Sequence, residues 1–149
     1  MRDKRVLMSA CLLGLGCRYD GTARGPISVP EGVCPVPVCP EQLGGLPTPR
    51  PSARLRGGDG RAVLQGKAKV VNVAGEDVTE AFLRGARGAL ALCRLLGIRK
   101  AILKERSPSC GVKRVWIGDE LKEGRGVLAA LLEQAGIEIV SSEDLGYET

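Results

Sequence analysis

The sequence predicts an α/β fold: a compact single domain, residues 1–149, with a mainly parallel sheet and helices on its faces, Rossmann-like in kind. Three observations lead there. Short apolar runs at Val6–Ala10, Ala101–Leu103 and Ile137–Val140 read as strands. Stretches with helical periodicity precede the second and third of these runs. Helix, strand and then a polar loop rich in Ser and Gly is the order of an α/β unit, in which ligands bind beyond the carboxyl ends of the strands.

The first strand, Val6–Ala10, delivers Cys11 at its carboxyl end, ahead of a loop through Gly14, Gly16 and Gly21. Prolines and glycines between Gly25 and Pro51 argue against a long helix, and Val36-Pro37-Val38 reads as a brief edge strand ending at Cys39. The stretch Leu55–Gly66, with Arg54, Arg56 and Arg61 around Gly57, Gly58 and Gly60, reads as a turn or hairpin tip with solvated arginines. Lys69–Val73 is a further strand candidate. At Asp77 a helix begins: Asp77 and Glu80 have capping-box spacing, Phe82, Ala86, Ala89, Cys93 and Leu96 form an apolar stripe, and Gly97 closes it. Its place on that stripe makes Cys93 an inert core thiol. Beyond Ala101–Leu103, the loop Lys104–Gly111 carries Cys110. Val115–Ile117 is a weaker strand, Gly126–Ala135 a second helix ended by Gly136, and Ile137–Val140 the last strand. Gly124-Arg125-Gly126 leaves two readings open, a phosphate-cradling turn or a plain helix start.

Hydrophobic content of 44% and charged content of 26% are those of an ordinary soluble domain, but aromatics at 3% force an aliphatic core. The net charge of +5 permits an anionic partner as readily as a solvated basic surface. Met8-Ser9-Ala10-Cys11 imitates a lipoprotein cleavage box, yet only Val6, Leu7 and Met8 precede it as an apolar stretch, against the about 7–15 residues an export signal uses. No run reaches transmembrane length, so a cytoplasmic setting with reduced thiols and no membrane partner is expected.

The chain has no histidine. That excludes a Ser-His-Asp or Cys-His nucleophile pair and a His-ligated metal, leaving acid–base work to carboxylates, lysines, thiols or a metal-bound water. Among six cysteines, Cys11, Cys39 and Cys110 each lie just beyond an apolar run, where the carboxyl edge of a sheet can bring them together around a metal. Local spacing alone decides nothing. Cys11 and Cys17, like Cys34 and Cys39, lack the CxxC spacing of zinc ribbons, and the dense runs of ferredoxins are absent too.

Four strings carry a resemblance: Ser9-Ala10-Cys11-Leu12-Leu13-Gly14 with Arg18-Tyr19-Asp20-Gly21; Cys39-Pro40-Glu41 with Gly44-Gly45-Leu46-Pro47-Thr48-Pro49-Arg50; Lys104-Glu105-Arg106-Ser107-Pro108-Ser109-Cys110-Gly111; and Gly126-Val127 with Ala129-Ala130-Leu131-Leu132. In this order, spanning nearly the whole chain, they resemble the thiouracil desulfidase family. The resemblance implies a [4Fe-4S] cluster held by Cys11, Cys39 and Cys110, with the fourth iron free to take the sulfur of a thiolated pyrimidine. It places Glu41 and Ser109 as catalytic groups, a role Ser107 could exchange with Ser109, and Ser9, Lys104 and Ser107 are expected at the substrate. Cys17 and Cys34 fall outside the required ligands.

The expected reaction is non-redox removal of sulfur from 2-thiouracil or a related base, giving uracil and sulfide. Thiolated tRNA is a less favoured substrate, since no added tRNA-binding domain is visible. Two other readings stay open: a zinc-dependent base hydrolase using the same cysteines, and a basic RNA-binding or thiol-sensing module. The sequence does not set the oligomeric state.

Overall fold

Residues 5–9 are the kernel of the fold: behind Arg5, the side chains of Val6, Leu7 and Met8 and the backbone of Ser9 are all buried, as a strand covered on both faces requires. The computed structural model describes residues 4–145. In chain order its elements are β1 (Lys4–Ser9), β2 (Val33–Val38), α1 (Pro40–Leu43), β3 (Ala53–Arg56), α2 (Gly60–Leu64), β4 (Lys69–Asn72), α3 (Thr79–Leu96), β5 (Lys100–Leu103), β6 (Arg114–Ile117), β7 (Glu120–Glu123), α4 (Val127–Gln134) and β8 (Glu138–Ser141). Single 3-10 turns follow β1, at Ala10–Leu13, and β8, at Ser142–Leu145.

β1, β2, β5 and β8 form an all-parallel sheet in the order β2-β1-β5-β8. The chain leaves β1 for β2 on one side and returns to β5 on the other. The strand order therefore reverses beside β1, and a crevice opens there at the carboxyl edge. Leu7, Ala101 and Leu103 face α3 and α4 in the main core, while Val6, Met8 and Ile102 pack under Leu13 and Ile27 of the loop after β1. The helices thus lie on one face and that loop on the other. β2 is an edge strand; its ladder to β1 uses alternate N–H groups, so Pro35 and Pro37, which have none, fall at the positions turned to the open edge.

A second, mixed sheet has the order β4-β3-β6-β7, with β3 parallel to β6 and both outer pairs antiparallel. Here the sequence reading needs correction. The Leu55–Gly66 stretch is not a hairpin tip: Leu55 is fully buried in β3, and Asp59 caps α2 by accepting hydrogen bonds from the N–H groups of Arg61 and Ala62. One buried residue among arginines gives no periodic signal, which is why β3 reads as loop. β7, Glu-Leu-Lys-Glu, escapes notice for the same reason.

The two longer helices follow their patterns. α3 buries Phe82, Ala86, Ala89 and Cys93, and Gly97 ends it at φ 67°, a left-handed conformation that suits glycine. Asp77 accepts a hydrogen bond from the Thr79 N–H at its start. α3 is also the seat of α1: a Cβ on Gly85 would stand 1.8 Å from the Pro40 carbonyl oxygen, so only glycine lets the two helices touch there. At 18 residues α3 is the longest described helix, and no described helix is long and apolar enough to cross a membrane.

Candidate active site

Three adjacent strands end at one place. β1 leads into Cys11 within the first 3-10 turn, β2 ends one residue before Cys39, and β5 leads into the loop bearing Cys110. All three cysteines, with Cys17, line one cavity of about 310 Å³ at the carboxyl edge of the parallel sheet. Cys34 is exposed on β2, and Cys93 lies in the core. Among the described residues no group of Cys, Asp or Glu side chains is gathered as the ligands of a single metal ion would be.

Each ligand candidate has its own support. Cys39 caps the start of α1, whose docking against Gly85 fixes Cys39 and Glu41 together. Cys110 is held from α4: the N–H groups of Val127, Leu128 and Ala129 donate to the carbonyls of Pro108 and Ser109. Those bonds settle the two readings of Gly124-Arg125-Gly126. The helix start is not free for a phosphate, because the Cys110 loop occupies its amides. Gly126 permits the approach, since a Cβ there would stand 2.4 Å from the Ser109 carbonyl carbon. On the loop's far side, fully buried Glu105 accepts the N–H groups of Val112, Lys113 and Arg114 through one carboxylate oxygen, at 2.8–3.0 Å. Burial pushes the Glu105 pKa up, but the Ser141 hydroxyl and those amides prevail and hold it below its ordinary value.

A chain of hydrogen bonds runs across the cavity wall. The Ser107 hydroxyl oxygen accepts the N–H groups of Ser109 and Cys110, both at 3.1 Å. With its lone pairs so engaged, its proton is directed to the Ser109 hydroxyl, 2.9 Å away. Ser109 in turn donates to Oε2 of Glu41 at 3.2 Å and lies 3.7 Å from the Cys110 sulfur. The other carboxylate oxygen of Glu41 accepts from Nε of Arg50 at 3.1 Å, an ion pair whose side chains are only 4% and 16% exposed for Arg50 and Glu41. The guanidinium also donates to the Cys17 carbonyl at 2.8 Å and to Thr48 at 2.9 Å, and reaches to 4.0 Å from the Cys39 sulfur.

The thiols differ in character. The neighbouring Cys17 thiol lowers the pKa of Cys11 and brings that of Cys39 down to about 6, while Cys17 itself is raised. Burial pushes Cys110 up to about 12. Lys104, directly after β5, has its pKa lowered by burial, opposed by the negative charge of Cys11, and its ammonium donates to the Glu105 carbonyl at 3.1 Å.

Every site residue named from the sequence borders this cavity: Glu41, Ser109, Ser107, Lys104 and Ser9 with the three cysteines. Ser9, almost fully buried, accepts the Lys104 N–H at 2.9 Å, so its hydroxyl ties the ends of β1 and β5 together. Sequence reasoning gave Arg50 no role, although it stands in one of the quoted strings; nothing in a Pro-rich loop marks an arginine as buried. It also missed the second sheet's share of the wall. Trp116 of β6 and Arg54 of β3 both line the cavity, the guanidinium 4.6 Å from the ring centre. Arg54 is therefore a cavity residue, whereas Arg56 is exposed and Arg61 pairs with Glu133 on the surface, as expected of solvated arginines.

A family model described as 2-thiouracil desulfurase matches residues 6–144. The uncharacterized protein YbbK of Bacillus subtilis (strain 168) is 42% identical over 146 residues, covering 94% of this chain and 97% of that protein. A solved structure, the [4Fe-4S]-dependent thiouracil desulfidase TudS, superposes with a TM-score of 0.82 at 42% identity, over 96% of this chain and 93% of that one. The cysteines, Glu41 and the serine loop all fall within the matched span, and the chain belongs to the 2-thiouracil desulfurase family.

Proposed function

We propose that this chain is a [4Fe-4S]-dependent desulfidase that converts 2-thiouracil, or a closely related thiolated pyrimidine, and water into uracil and sulfide without net electron transfer. One observation carries the reading: three cysteines from three strand ends share a cavity with a Ser107–Ser109–Glu41 hydrogen-bond chain. An all-thiolate donor set suits iron–sulfur ligation. The cluster, held by Cys11, Cys39 and Cys110, supplies an iron with no protein ligand as a Lewis acid for the thiocarbonyl sulfur.

The chain's own groups do the rest. Trp116 and Arg54 give the pyrimidine ring an aromatic and cationic wall, and Lys104 supplies positive charge. Arg50 holds Glu41 in place, so that its carboxylate accepts the proton of the water attacking the thiocarbonyl carbon. Once protonated, Glu41 reverses its bond to Ser109. Ser109 passes its own proton to the departing sulfur and takes the one held by Glu41, which restores the carboxylate, while Ser107 keeps its proton and holds Ser109 in line.

Anaerobic reconstitution tests this directly. The expected product binds about four irons per chain, as one [4Fe-4S] centre requires, and releases sulfide from 2-thiouracil. Replacing Cys11, Cys39 or Cys110 with serine removes cluster and turnover together. Iron binding that survives any one of these changes would overturn the ligand assignment, and zinc without iron would overturn the cluster itself.

A further inference from the structure

Cys17 has no part in the reaction as proposed, yet it is buried, 5% exposed, in the wall of the same cavity. Its side chain packs in one cluster with those of Cys11 and Cys39, and its carbonyl lies 3.6 Å from the Cys39 sulfur. Cys11, Cys17 and Cys39 pack as one apolar patch with Ala10. Cys110 is set differently. The groups hydrogen-bonded to its sulfur are the hydroxyls of Ser9 and Ser109. Of the three ligand candidates, two therefore have Cys17 as a thiol neighbour, and the third is flanked by alcohols.

We propose that Cys17 is a resolving thiol: in the chain without its cluster, a peroxide oxidises the Cys11–Cys17–Cys39 group to an intramolecular disulfide joining Cys17 to Cys11 or Cys39, and Cys110 stays a free thiol. Peroxide first converts one sulfur of the group to a sulfenic acid with release of one water. The neighbouring thiol attacks that sulfur, forms the S–S bond and expels the oxygen as a second water, so two thiols lose two electrons and two protons and one peroxide becomes two waters. A small thiol reverses the change by exchange, giving back both cysteines and its own disulfide. The consequence is protective. A ligand sulfur held as a disulfide is spared oxidation to sulfinic acid, which thiols do not reverse, and the site can be reloaded after reduction. Only this consequence rests on the desulfidase reading; the disulfide is a property of the chain.

The test uses the full chain prepared without iron, fully reduced, and exposed to stoichiometric hydrogen peroxide before alkylation and peptide mapping. The expected result is loss of two of the six free thiols and of two hydrogen masses, a linkage containing Cys17, and full alkylation of Cys110. Reduction with dithiothreitol restores six thiols and, in a separate anaerobic step, iron uptake. In Cys17→Ser, two or more equivalents of peroxide carry Cys11 or Cys39 on to the sulfinic acid, which dithiothreitol does not reverse, and iron uptake after reduction falls several-fold against the wild-type chain treated alike. If Cys17→Ser does not fold, as judged by circular dichroism, Cys17→Ala takes its place, and the linkage map of the wild-type chain decides by itself. A Cys11–Cys39 disulfide, a linkage through Cys110, or a Cys17 variant that recovers as fully as wild type would overturn the proposal. A Cys17 disulfide in a chain that takes up no iron would sustain this inference and refute the desulfidase reading.

Discussion

Replacing Arg50 with methionine keeps an unbranched apolar stem and removes the charged head. It also removes the hydrogen bonds to Glu41, Thr48 and the carbonyls of Pro47 and Cys17. Glu41 remains in a site where its side chain is 16% exposed, now without a cation. Breaking a buried pair from one side costs about 3–5 kcal/mol, because the surviving charge is left uncompensated. For a domain of this size that corresponds to a fall in Tm of roughly 10 °C. Thermal unfolding of R50M and of R50M/E41Q, prepared identically under argon, separates charge from packing. The double variant carries no orphaned carboxylate and is expected to recover about half of the loss. A Tm for R50M within about 1 °C of wild type would refute the argument, as would a double variant no more stable than the single one.

The remaining predictions concern the supports of the site. Glu41→Gln is expected to retain the iron of the wild-type chain and to lose about 10²–10⁴-fold in sulfide release, the range for a lost general base, read by anaerobic iron analysis beside the turnover assay. Gly126→Ala drives a Cβ into the Ser109 backbone; it should lower Tm and iron content together, whereas Cys93→Ala should lower Tm alone. Glu105 gives a pH signature: its folded pKa lies below the unfolded value, so its stabilisation is complete above the ordinary carboxylate range and is lost as pH falls through the folded value. Glu105→Gln should therefore be less stable than wild type near neutrality, and the difference in Tm should shrink on acidification. Trp116→Ala is expected to raise KM for 2-thiouracil more than it lowers kcat, measured by sulfide release across a substrate series.

The parallel sheet and its helices were legible because their signals are periodic. Val6–Met8 and Ala101–Leu103 are uninterrupted aliphatic runs, and α3 carries a four-and-three stripe closed by a glycine. The cysteines were legible as strand-end residues, since an apolar run that reads as a strand also marks where its carboxyl end falls. The second sheet was hidden: β3 and β7 are four residues long and charged at two and three of their positions, and β3 is held to β6 across a long stretch of sequence. Arg50 was hidden for a related reason. Its burial is decided by the carbonyls of Pro47 and Cys17 and the carboxylate of Glu41, and no local pattern records which loop will fold over which. Gly85 and Gly126 count among 21 glycines, and only the approach of a second backbone distinguishes them from turn residues.

The bonds from Val127, Leu128 and Ala129 to the carbonyls of Pro108 and Ser109 bear on how the chain is made. A nascent polypeptide presents Cys11 and Cys39 early, but in the loop carrying Cys110 the carbonyls of Pro108 and Ser109 have no partner until α4 has left the ribosome. Closing that distance pays its loop entropy late, after most of the chain exists. The cavity is thus one of the last features to form in synthesis, and a chain interrupted before α4 exposes thiols without a place to hold metal.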